Sequence, residues 1–166
     1  MKVFGIVGWK NSGKTTLVAK LVTELKTRGF SASTVKHAHH KFDLDQPGRD
    51  SYQHRKAGAQ EVLISSGKRW ALMHELEGRD ECRLDDLLAK MTPVDIVLVE
   101  GFKNDAHAKI ECHRAASEMP LVSAANKTIV AVASDVAVDA GGLRCLDLND
   151  ITQIADFVMA ETGLVK

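Results

Sequence analysis

The sequence has no apolar run approaching the ~20 residues that span a bilayer, no C-x-x-C pair, no surplus of either charge, and no repeat or low-complexity tract. Each absence closes a class. Without a long apolar segment, no membrane span is expected. The 22 basic and 22 acidic residues cancel, which argues against a nucleic-acid binder or a basic membrane surface. Three cysteines, Cys82, Cys112 and Cys145, lie far apart and are odd in number. A zinc ribbon or redox pair is therefore not expected, and all three read as reduced thiols. The first residues run straight into an apolar strand with no signal-peptide pattern, so the expected compartment is the cytoplasm. At 166 residues the chain suits a single domain, 1–166, able to bury about 70% of its unfolded surface without a staple.

What is present begins at Gly8. The run Gly8-Trp9-Lys10-Asn11-Ser12-Gly13-Lys14-Thr15 spells G-x-x-x-x-G-K-[ST], the phosphate-binding loop of nucleoside triphosphatases. Its context fits. A short apolar run, 3–7, precedes it, and 16–28 follows with Leu17, Val18, Leu21, Val22 and Leu25 at helical spacing. Gly29 supplies the stop. In such a loop, successive backbone N–H groups make a concavity for phosphate oxygens, and the helix adds its free amides and positive dipole end. Asn11, Ser12, Gly13, Lys14, Thr15 and Thr16 are the expected nucleotide contacts. Lys14 is expected to bridge the β- and γ-phosphates, and Thr15 to bind Mg²⁺ through its hydroxyl.

Strands and helices alternate through the rest of the chain. Strands are expected over 33–35 and onward into 36–40, at 94–99, 109–112, 129–133 and 145–148. Helices are expected over 51–59, 84–91 and 151–159. The runs 62–65 and 70–73 flank Ser66-Gly67-Lys68 and read as a β-hairpin. The fold class is α/β: a mostly parallel sheet with helices on both faces, the hairpin being its antiparallel extension.

Three further groups of residues bear on the site. The most apolar strand ends in Glu100-Gly101, the place where a phosphate-loop protein carries an acid near the metal. Asp95 opens that strand, about 16 Å away at ~3.3 Å per residue, so Glu100 is preferred. The second is the polar stretch from Lys36 to Asp50, at the carboxyl end of the second strand, where open α/β sheets bind ligands. There Asp43, Asp45 or Asp50 could hold Mg²⁺ through water or orient an attacking water, while Lys36, His37, His39, His40 and Arg49 could face phosphate or a second substrate. A zinc site on His37 and His39 lacks a second pair to complete four ligands. The third concerns the base. Asn126-Lys127-Thr128-Ile129 lacks the aspartate of N-K-x-D and precedes its strand instead of following it. Ser134-Asp135 is better placed, and a carboxylate there accepts from guanine N1–H and the 2-amino group, which adenine does not offer.

Taken together these stretches resemble the MobB family, adaptor proteins of molybdopterin-guanine dinucleotide biosynthesis. The matching residues are Gly8 through Thr16; Lys36-His37-Ala38-His39-His40 with 43–51; Arg55-Lys56-Ala57-Gly58-Ala59; Arg69-Trp70-Ala71-Leu72-Met73; Leu98-Val99-Glu100-Gly101-Phe102-Lys103; and Ala131-Val132-Ala133-Ser134-Asp135. They run in order over nearly the whole chain. The resemblance implies a GTP-binding protein using Mg²⁺ with weak GTPase activity, a homodimer, and association with the MobA guanylyltransferase. It carries Gly13, Lys14, Thr15 and Thr16 over to phosphate, Glu100 to the metal and Asp135 to the base, with Lys103 in the V-E-G-F-K stretch as a substrate or partner contact. Related partition ATPases carry a second lysine five residues before the main one, where this chain has Trp9. With no arginine finger and no water-positioning glutamine evident, hydrolysis assisted by Lys14, Glu100 and Asp50 is expected to be slow. Two alternatives stand beside this reading: a small-molecule kinase or ATP-dependent ligase, and a molybdopterin-binding module without catalysis. The hairpin around Trp70 is a candidate dimer surface.

Overall fold

The short apolar runs of the sequence become the centre of a parallel sheet. The computed structural model describes residues 1–38 and 42–165; His39 and His40 lie outside the described residues. In chain order the elements are β1 (Lys2–Val7), α1 (Lys14–Thr27), β2 (Ala32–Lys36), α2 (Asp50–Lys56), β3 (Glu61–Ser65), β4 (Trp70–His74), α3 (Leu84–Leu88), β5 (Ile96–Glu100), β6 (Lys109–His113), a 3₁₀ turn (Val122–Ala124), β7 (Ile129–Ser134), β8 (Arg144–Asp147) and α4 (Ile151–Thr162). They fall into two compact units, one of Met1–His37 with Met91–Lys166 and one of Ala38–Lys90.

The first unit holds six strands in the order β2-β5-β1-β6-β7-β8, every neighbouring pair parallel. The register sets Ile6 beside Glu100 and Lys36 beside Glu100. The carboxyl ends of β1, β2 and β5 therefore finish together, where the phosphate loop begins. One face of the sheet is apolar. Phe4, Ile6, Ile96, Leu98, Ile110, Cys112, Ala131 and Ala133 pack under Leu17, Leu21 and Leu25 of α1 and Ile154, Ala155 and Val158 of α4. A buried leucine or isoleucine of this kind contributes about 1.5–3 kcal/mol relative to exposure. Arg28 joins the two helices: Nε donates to Glu24 Oε1 at 2.8 Å, Nη2 to the Thr152 carbonyl at 3.2 Å, and Nη1 pairs with Asp156. Asp150 caps α4 by accepting from the Gln153 amide at 3.0 Å.

Both long helices lie on the apolar face. The second face carries Val97, Val99 and Val132, also fully buried. Alternation along β6 turns Lys109 and Glu111 to that second face, and both are fully buried. Lys109 Nζ donates to the carbonyls of Asp105 and His107 and to Thr128 Oγ1. Glu111 accepts from the amides of Val122 and Ser123 at 2.7 and 2.8 Å. Buried charges with full sets of hydrogen bonds thus tie segments 101–108 and 114–128 to the sheet.

In the second unit β3 and β4 pair antiparallel, with Glu61 opposite His74 and Ser65 opposite Trp70. They form a sheet of their own, with no ladder to the parallel one. The turn closes with the Ser66 amide donating to the Arg69 carbonyl at 2.9 Å. Leu63, Leu72 and Trp70 share one face and are 61%, 48% and 65% exposed, so Trp70 does not pack down on its own hairpin. α2 stops at Lys56 and α3 at Leu88, each three residues short of its expected end. Arg55 of α2 donates through Nη2 to both oxygens of Asp43, at 2.8 and 2.6 Å.

Candidate functional site

The loop between β1 and α1 has the backbone its sequence requires. Gly13 precedes α1 with φ 95°, and no side chain caps the helix. A methyl group on Gly13 would stand 2.8 Å from Arg114 Nε, a side-chain end that can move aside, so it is the torsion that calls for glycine. The first turn of α1 carries no acidic residue. Its free amides and dipole are left for an anion from outside the chain. Lys14 Nζ folds back onto the Trp9 carbonyl at 2.6 Å. Ser12 Oγ is buried without a hydrogen-bond partner among the described residues.

Thr15 and Glu100 are in contact. Thr15 Oγ1 lies 3.1 and 3.2 Å from the two carboxylate oxygens, and Lys36 Nζ lies 3.2 Å from Glu100 Oε1. A hydroxyl and a carboxylate at one spot are the hard oxygen donors that Mg²⁺ takes while keeping water and phosphate oxygens. The donor set therefore fits that ion. No group of three or more His, Cys, Asp or Glu side chains able to hold a metal occurs among the described residues.

Cations converge here. Lys103 Nζ stands 4.9 Å over the Trp9 ring, and Trp9 Nε1 donates to the Pro120 carbonyl at 2.7 Å. Burial pushes the Lys14 ammonium below its ordinary pKa of 10.5; Glu100 and Cys112 oppose this, while Lys103 and Lys36 push it lower still. After Glu100 the chain turns through Gly101 and Phe102, both with positive φ. A methyl on Gly101 would stand 2.8 Å from His37 Cβ, and the His37 ring lies 4.8 Å from that of Phe102.

A pocket of about 380 Å³ is lined by Asn11, Gly13, Lys14, Thr15, Thr16 and Arg114. Arg114 is the residue that sequence reasoning missed. Its only signal is position, two residues beyond the strand expected at 109–112 and so on the sheet's carboxyl edge. Asp135 follows β7 on the same edge. Its Oδ1 accepts from the Ala115 amide at 2.8 Å, and its Oδ2 lies 3.9 Å from Arg114 Nη1. Ser134 Oγ pairs with His113 Nδ1 and accepts from the Val136 amide, each at 3.2 Å, so its side chain is engaged within the strand end.

The remaining expected residues belong to the second unit. Asp43 is held by Arg55, whose guanidinium keeps its carboxyl below the usual range. Asp50 opens α2, and Arg49 is the exposed residue before it. All three cysteines are free thiols, and no helix among the described residues is long and apolar enough to cross a membrane.

Comparison with known proteins places this geometry in a family. The family model described as "Molybdopterin guanine dinucleotide synthesis protein B" matches residues 3–135. A "Molybdopterin-guanine dinucleotide biosynthesis adapter protein" of Escherichia coli (strain K12) is 41% identical over 160 residues, covering 95% of this chain and 91% of that relative. One of the same name from Haemophilus influenzae is 39% identical over 158 residues, 94% of this chain and 86% of the relative. The crystal structure of a MobB homolog from Bacillus stearothermophilus superposes with a TM-score of 0.74 at 29% identity, over 98% of this chain and 99% of that one. With its phosphate loop, its parallel sheet and this likeness along nearly its whole length, the chain belongs to the MobB family.

Proposed function

We propose that the chain is a GTP-binding adapter of molybdopterin-guanine dinucleotide biosynthesis. It acts in the cytoplasm as a homodimer beside the MobA guanylyltransferase, presenting or sensing Mg²⁺–GTP and hydrolysing it slowly at most. The observation that carries the nucleotide is the meeting of Thr15, Glu100 and Lys36 beside an uncapped helix N-terminus. In this reading the α1 amides and Lys14 hold the β- and γ-phosphates. Thr15 and Glu100 hold Mg²⁺, which would neutralise phosphate charge when bound. Asp135 reads guanine; a carboxylate oxygen has two lone pairs, so the bond from Ala115 leaves acceptor capacity for N1–H and the 2-amino group. The adapter role rests on the relatives' names, and the partner on the family resemblance alone.

The metal is tested by titrating GTP with and without Mg²⁺ into wild type and Thr15→Ala. In wild type, Mg²⁺ is expected to tighten binding by at least about tenfold, and the variant to lose most of that gain. An undiminished Mg²⁺ effect in the variant would remove Thr15 from the metal.

A further inference from the structure

Arg114 has no role in the reading above, yet among the described residues it is the one from outside residues 11–16 that lines the phosphate pocket. It follows β6, which flanks β1 on the side away from β5. The guanidinium lies close to Gly13: a methyl there would stand 2.8 Å from Nε and 3.3 Å from Nη2. It therefore rests along the N-terminus of α1, whose amides no side chain caps. The side chain is 40% exposed, and its ion-pair partner among the described residues, Asp135, is 3.9 Å away, beyond hydrogen-bond range. Among the described residues its guanidinium donates no hydrogen bond, and it lines the pocket.

The backbone of Arg114 is fixed on both sides. The next amide, that of Ala115, donates to Asp135 Oδ1 at 2.8 Å, and the Arg114 carbonyl accepts from the Ser117 amide at 2.8 Å. Such bonding sets the direction in which the side chain leaves the strand. Arginine's planar fork is suited to phosphate in a way that a lysine's point charge is not.

Strand order says which phosphate. Thr15 and Glu100, which would hold Mg²⁺, lie with Lys36 toward β5 and β2, so a bound metal there would serve the terminal phosphates. Arg114 lies on the other flank, between the loop and Asp135 at the end of β7. The nucleoside lies on that flank if Asp135 meets the base. We infer that Arg114 grips the phosphate adjoining the nucleoside, with Asp135 positioning it, so that it binds GTP and GDP alike instead of acting on the γ-phosphate. This rests on the nucleotide-site reading and adds a ligand to it.

The test is calorimetric titration of the full chain with Mg²⁺–GTP and Mg²⁺–GDP, using wild type, Arg114→Gln, Arg114→Lys and Lys14→Ala. Arg114→Gln is expected to weaken both nucleotides by the same factor, about tenfold, as for loss of a charged hydrogen bond. Arg114→Lys keeps the charge and is expected to recover less than half of that loss on a logarithmic scale. A urea midpoint within error of wild type for Arg114→Lys keeps the comparison valid should the glutamine variant fold poorly. If wild type binds neither nucleotide, or Lys14→Ala binds both undiminished, the nucleotide-site reading itself falls. If wild type and Lys14→Ala behave as that reading requires but both Arg114 variants match wild type, only the present inference falls. Weakening confined to GTP would overturn it too, because Arg114 would then be a γ-phosphate contact.

Discussion

Lys14 is held in an unfavourable setting until phosphate arrives. Its ammonium is partly buried and donates to one carbonyl, that of Trp9. Burial, with Lys36 and Lys103 nearby, lowers its pKa below 10.5 despite Glu100. The unfolded chain thus binds this proton more tightly than the folded one. Folding stability contributed by this residue rises with pH across the window from the lowered value to 10.5, and below that window the full penalty is present. Lys14→Met removes the charge and is expected to raise the urea midpoint of the nucleotide-free protein at pH 7. Its advantage should shrink as pH approaches 10.5. A difference between variant and wild type that does not change with pH would contradict this account. A nucleotide reverses the imbalance by bringing negative charge to the same ammonium.

At the scale of elements, β6 shows how a polar sequence makes a central strand. Glu111 receives the first amides of the 3₁₀ turn at Val122 and Ser123, and Lys109 gathers the loops from the other side. Glu111→Ala leaves two amides without their charged acceptor and is expected to cost about 3 kcal/mol in urea denaturation. Glu111→Gln, with one acceptor oxygen, should fall between; an alanine variant as stable as wild type would remove this role. The same strand marks the limit of what sequence could tell. Lys109-Ile110-Glu111-Cys112 reads as a short strand, but its full burial is not legible, because the groups that satisfy its charges include backbone amides and carbonyls of patternless loops. The phosphate loop, β1, α1 and the acid at Glu100 were legible because strand, glycine turn and helix are local signals. Helices flanking the sheet were legible from alternation of element types, and α1 and α4 pack on it; the loops held by Lys109 and Glu111 carry no such pattern. Arg114 was invisible for a related reason: its place beside Gly13 follows from β6 lying next to β1, which no local pattern states.

At the scale of the whole molecule, the nucleotide reading concerns the unit of the parallel sheet, and the dimer reading the hairpin. Leu63, Leu72 and Trp70 give the hairpin an exposed apolar face, which we propose to lie in the homodimer. Sedimentation velocity of wild type is expected to show a dimer, with Trp70→Glu shifting the protein toward monomer; a wild-type monomer at all concentrations would contradict this. A ligand that binds only the folded chain also stabilises it, by about 2.7 kcal/mol at a hundredfold excess over Kd. The central claim is a guanine-nucleotide site built on the phosphate loop, and it is tested most directly by calorimetric titration with GTP and with ATP, each with Mg²⁺, in wild type and Asp135→Ala. Any effect of Asp135 through Arg114 touches both nucleotides equally, so the ratio of their affinities isolates the base. The account predicts that wild type prefers GTP and that Asp135→Ala loses the preference; equal binding of both nucleotides, unchanged by the substitution, would contradict it.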